Sequence, residues 1–266
     1  MTENIISWQE KNKANSADWQ SEAGNPPPKN VLIADDTTNA KVAYKQVCEG
    51  AALLYRGDFQ NAKQLLQAIT RKVDSKPIQP TENLTQAFHQ HRARQIQRAN
   101  ITNKILIELQ HGKCDLKRAP DVKDAVEGAL IINPKIDKIP TKLVLSLREL
   151  LGMVGAHEWR KKGVFIDALQ ANIHAHYGVY SPIRGEQADL FPKGQKKADL
   201  IVCNPPWLPA KANAPIEHAI YDPNSKMLKG FLNGVKNHLN ENGEVWLIMS
   251  DLAEHLGLRT LEELGK

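Results

Sequence analysis

ADLIVCNPPW, residues Ala198 to Trp207, is an apolar run of strand length that ends in a proline pair and an aromatic residue. The two prolines remove backbone donors and hold φ near one value, so the turn presents the Asn204 side-chain oxygen and the Pro205 carbonyl as rigid acceptors. Two convergent acceptors suit one amino group. Trp207 supplies a face for a planar partner, a contact worth about 1–3 kcal/mol when the partner is a nucleic-acid base. At average residue usage a tetrad of the form Asn/Asp/Ser-Pro-Pro-aromatic arises by accident in roughly one chain of this length in a hundred. A place directly after an apolar strand is rarer still, and points to substrate grip rather than to a bare strand-ending turn.

Working outward, the C-terminal part alternates strand and helix: the loop HYGVYSPIRGE, a short DLFP, the Ala198 strand, a helix over about Ser225–Leu239, and the strand EVWLIMSD. Such alternation predicts a parallel sheet with covering helices, with sites beyond the carboxyl ends of the strands. The NPPW tetrad lies at such an end.

Toward the N-terminus the pattern reads differently. Residues 1–29 form a polar leader containing Trp8 and Trp19 and closing on Pro26 to Pro28, a stiff connector into the strand-like NVLIADD. From Thr38, Val42, Cys48, Ala52 and Tyr55 recur at helical intervals, Gly57 reads as a stop, and Asp58 caps a second helix, FQNAKQLLQAITRKV. A third helix is expected over Leu84–Leu109, with others after Pro120, in TKLVLSLRELLGMVGAHEW and in KKGVFIDALQANI. The expected organisation is therefore a leader (1–29), a helical N-terminal domain (30–174) and a partial α/β domain (175–266).

The 266 residues are 41% hydrophobic and 24% charged, ordinary globular usage that excludes a disordered chain. A net charge of +5 permits a polyanionic partner, with Arg94 and Arg98 on one helical face and His157, Arg160, Lys161 and Lys162 as a second basic group. Three cysteines, Cys48, Cys114 and Cys203, match neither a disulfide framework nor a zinc site. His174 and His176 lack a third ligand cluster, so no metal is expected. No run reaches the length of a membrane span, and the expected location is cytoplasmic.

ADLIVCNPPWLPA resembles motif IV of the class I S-adenosylmethionine-dependent methyltransferases that modify exocyclic amines of nucleic-acid bases or glutamine side chains. Around it, ADLFP resembles the end of that family's third strand, HYGVYSP the segment leading into its cofactor site, and GEVWLIMSD its fifth strand. GAALLYRGDFQNAKQLLQAITRKVD and GMVGAHEWRKKGVFI are similar to the helical extension of a bacterial branch of the small-domain (NPPW) N-methyltransferases. The resemblance implies a Rossmann-like sheet, S-adenosylmethionine as cofactor, Asn204, Pro205, Pro206 and Trp207 as catalytic residues, and Asp189 and Tyr177 as cofactor-binding residues. Nucleic acid, ribosomal RNA among others, or a protein amide is the implied substrate.

One departure bears on activity. The family's cofactor loop, of the form DxGxGxG between two strands, has no counterpart: only 11 residues lie between Tyr177 and Asp189, where a βαβ unit takes roughly 30. GMVG, Gly152 to Gly155, sits in a helical pattern and reads as close helix packing. The sheet thus reads as truncated at both ends, and cofactor binding is expected to be weak. The alternatives are a non-catalytic module that binds RNA or protein, and a truncated product without a stable catalytic domain.

Overall fold

The computed structural model describes residues 4–77, 81, 83–130, 140–166, 170–177, 197–211, 220–260 and 262–264. It divides into two compact units: Met1–Thr81 with Ala87–Tyr177, and Glu82–Gln86 with Gly178–Lys266.

The first unit begins where a leader was expected. Strands β1 (Ile5–Glu10) and β2 (Lys13–Trp19) form an antiparallel hairpin. Its two-residue turn, Lys11 and Asn12, has φ of 50° and 60°, the backbone that matches the twist of paired strands. Along it Ile6, Trp8, Ala17 and Trp19 alternate inward, each at most 7% exposed, which makes the supposed leader part of the core.

The expected helical domain is also corrected, because strands interrupt the helices. After β3 (Val31–Ala34) and α1 (Ala40–Cys48) comes β4 (Ala52–Tyr55), and α2 (Phe59–Asp74) and α3 (Leu84–Thr102) lead to β5 (Ile105–Gln110). Next follow α4 (Lys123–Leu130), β6 (Lys142–Ser146), α5 (Leu147–Lys162) and a small antiparallel hairpin of β7 (Val164–Ile166) and β8 (Ala171–Ile173). The helix expected from Thr38 to Tyr55 is α1 plus β4, divided at Gly50, whose φ of 99° no helix accepts. The one expected over Leu84–Leu109 is α3 plus β5, and KKGVFIDALQANI contains the β7–β8 hairpin.

The six strands β1 to β6 make one mixed sheet in the order β1-β2-β6-β5-β4-β3. Parallel pairing joins β2 to β6 and β3 to β4 to β5, while β1–β2 and β5–β6 are antiparallel. One face, with Leu53, Tyr55, Ile107 and Leu145, packs on Phe59, Leu66 and Ile69 of α2, Val47 of α1 and Leu150 of α5. The other face, Ala52, Leu54, Leu106 and Val144, packs on Ile6, Trp8, Ala17 and Trp19. Since β1 lies four places from β4 in the sheet, this second cluster requires the sheet to curl. Arg56, just past β4, fastens the curl, pairing with Glu10 of β1 at 2.7 Å and Glu108 of β5 at 2.8 Å. Strands covered on both faces carry unbroken apolar runs, and for that reason ALLY and ILIELQ imitate helix segments in the sequence.

In the second unit β9 (Ala198–Cys203) pairs in parallel with β10 (Leu239–Leu247), and α6 (Lys226–Val235) lies between them in the chain. A short α7 (Leu252–His255) follows. The register places Leu200 opposite Glu244 and Val202 opposite Trp246, then slips between Leu239 and Glu244. Gly243 occupies the slip, where a Cβ would lie 2.9 Å from the Ala198 carbonyl. The residues support a mixed α/β chain with a parallel strand pair at the tetrad. Among the described residues no helix is long and apolar enough to cross a membrane.

Candidate functional site

The tetrad begins where β9 ends. Cys203 is fully buried, and its carbonyl accepts from the Ile248 amide at 2.9 Å, which extends the pairing with β10 by one residue. Asn204 then emerges exposed, Pro205 is buried, and Pro206 and Trp207 are half-buried. The indole N–H of Trp207 donates to Asn204 Oδ1 at 3.1 Å and shares its proton with the Ile248 carbonyl at 3.2 Å. Trp207 thus orients Asn204, an intraloop role distinct from the stacking surface read from the sequence.

The far side of the loop is tied down as well. Leu208, 3% exposed, donates its amide to Ile220 and accepts from Asp222 at 2.8 Å. Asp222, 5% exposed, accepts from the Met227 and Leu228 amides at 2.9 and 3.0 Å and so closes the start of α6. Between them Asn224 and Ser225 both take left-handed backbone, with φ of 58° and 55°. Arg259, 7% exposed, donates to Ser225 Oγ at 3.0 Å and to the Trp207 carbonyl at 3.2 Å. Asp222 has a local signal in DPNS, an acid before proline at a helix start. Arg259 has none, since its partners lie 34 and 52 positions away.

Tyr177 belongs to the first unit, where its hydroxyl donates to Glu22 Oε2 at 2.6 Å and its ring lies against Gly152. Burial and the Glu22 carboxylate push that hydroxyl well above its ordinary range. Asp189 lies outside the described residues, as do ADLFP and most of HYGVYSP.

Around the tetrad the described residues offer no cradle for S-adenosylmethionine. None of the sixteen glycines is separated from another by a single residue, so no GxG turn exists to let the backbone approach a nucleotide. The α6 amides that could receive an anionic group are taken by the Asp222 carboxylate. Tyr177 is spent on Glu22.

Some of the basic groups have partners close by. Arg98 pairs with the Asp74 carboxylate at 2.7 Å and Arg94 donates to the Asp74 carbonyl at 2.7 Å, so both brace α3 to the end of α2. Arg160, Lys161 and Lys162 occupy the last turn of α5, where they complement the helix dipole. His174 donates from Nδ1 to the Arg160 carbonyl at 2.6 Å, and among the described residues no group of three His, Cys, Asp or Glu could hold a metal. Cys48, Cys114 and Cys203 form no disulfide, and burial pushes the thiol of Cys114 up.

A second polar cluster lies past the carboxyl ends of β3 and β4. Asp36 Oδ1 accepts from the Asp58 amide, the Tyr55 hydroxyl and Asn61, which hold its carboxyl below the usual range. Asp58 caps α2 and is held low by Arg118. Its groups satisfy one another and stabilise the α2 start. No family model, no curated protein and no solved structure matches the chain.

Proposed function

We propose that this chain is a protein of the NPPW N-methyltransferase type whose second unit binds a planar amine, either a nucleic-acid base or a glutamine amide, without transferring a methyl group to it. The observation that carries the reading is Asn204, exposed at the end of β9 with its side-chain oxygen held by one indole N–H. An amide oxygen has two lone pairs, so the held oxygen keeps one acceptor position in a set direction. The Pro205 carbonyl next to it adds a second acceptor on a backbone that proline stiffens. The missing GxG turn and the closed start of α6 support binding without turnover.

Adenosine, cytidine and N-acetylglutamine amide titrated against 15N-labelled protein are expected to shift the Asn204 side-chain amide and the Trp207 indole resonance. Asn204→Ala should weaken binding about 5- to 30-fold, the loss of one hydrogen bond of about 1–2 kcal/mol. Calorimetry should find S-adenosylmethionine binding weaker than micromolar, with no methyl transferred to any of the three. An absence of shifts with all three probes overturns the grip. Tight cofactor binding with transfer overturns binding without turnover.

A further inference from the structure

We infer that Arg259 is a positioning residue for the tetrad: it fixes the direction in which Asn204 presents its free lone pair. The inference rests on the reading of Asn204 as the group that grips a planar amine.

Arg259 is 7% exposed, and among the described residues it has no ion pair. The nearby buried carboxylate, Asp222, is committed to the Met227 and Leu228 amides. Burying a guanidinium carries a desolvation cost that an apolar residue of similar size would avoid. What an apolar residue cannot supply is a planar fork with donors at two separate points. The fork of Arg259 reaches Ser225 Oγ with one nitrogen and the Trp207 carbonyl with the other, 3.0 and 3.2 Å away. Ser225 itself is 2% exposed and held in left-handed backbone, so that end of the fork is anchored in a rigid turn.

The effect passes along the loop. Holding the Trp207 carbonyl fixes the residue whose indole N–H sits between Asn204 Oδ1 and the Ile248 carbonyl. The indole in turn sets the amide plane of Asn204. Without the guanidinium, Trp207 keeps its side-chain bonds only as long as its backbone holds position unaided, and the amide of Asn204 gains rotational freedom. Lysine at this position reaches one acceptor and leaves the other unmet.

Three measurements on the full chain test the inference. In the wild-type protein, guanidinium NMR should show slow rotation about the Arg259 Nε–Cζ bond; free rotation overturns the proposal without any variant. In Arg259→Met and Arg259→Lys, hydrogen exchange at the Trp207 indole should speed up about tenfold, the loss of one hydrogen bond, while the indoles of Trp8 and Trp19 exchange as before. An unchanged Trp207 rate in a folded variant overturns the proposal. Finally, Arg259→Met should weaken binding of adenosine or N-acetylglutamine amide, and adding Asn204→Ala should cause little further loss, since both act on one acceptor. Fully additive losses overturn the relay. If the wild-type chain binds neither probe, the grip reading fails, while the rotation and exchange measurements still decide whether Arg259 orders the loop.

Discussion

Tyr177 and Glu22 are joined by a 2.6 Å hydrogen bond across 155 positions of sequence, which ties the last described residue of the first unit to the segment just after its N-terminal hairpin. The hydroxyl is part-buried and its acceptor is a carboxylate, the stronger class of hydrogen bond. Tyr177→Phe should therefore destabilise the first unit by about 1.5–3 kcal/mol in denaturant unfolding. It should leave the response of Asn204 to adenosine unchanged. A variant with wild-type stability but altered ligand response would return Tyr177 to the binding role that the family resemblance implies.

The hairpin gives a second test. Trp8 and Trp19, 5% and 7% exposed, fill the face of the sheet opposite the helices. Trp8→Ala should cost about 3–5 kcal/mol, as for other large aromatic truncations in cores. Deletion of residues 1–29 should remove cooperative unfolding of the first unit, measured by circular dichroism during a thermal melt. A melt unaffected by the deletion would mean that the segment is a dispensable leader after all.

Glu149 predicts a pH effect of definite sign. It sits in the first turn of α5, its Oε1 accepting from Gln20 Nε2 and the Glu22 amide, both at 3.1 Å. Burial raises its carboxyl above the ordinary value despite those bonds. A carboxyl raised on folding contributes stability that is present below its unfolded pKa and is lost as pH rises through the folded one. Glu149→Gln keeps an acceptor without the charge, so it should be more stable than wild type near neutrality. The difference should shrink toward pH 4, and paired unfolding curves across that range check it. A constant difference at all pH values would assign the effect to packing.

Much of the second unit is legible along the chain because its signals are local. A strand followed by two prolines announces its own end, and β10 shows the apolar content of a strand in EVWL. The same holds for α2, which Asp58 caps and whose inward positions Phe59, Ala62, Leu66, Ile69 and Val73 repeat at helical spacing. The first unit as a whole misleads, since β4, β5 and β6 are covered on both faces and their residues show no alternation from which a strand could be told from a helix. In the hairpin the alternation is present, yet it spans too few apolar residues to stand out within polar sequence.

By itself, then, the amino-acid order determined the turn that presents Asn204 and the start and register of α2, because neighbours a few residues apart create them. Only the tertiary structure decided that residues 5–19 belong to the core, that Trp207 points its N–H at Asn204, and that Arg259 holds Trp207 from 52 positions away. Burial and long-range hydrogen bonds depend on which segments meet, and no local pattern records that meeting.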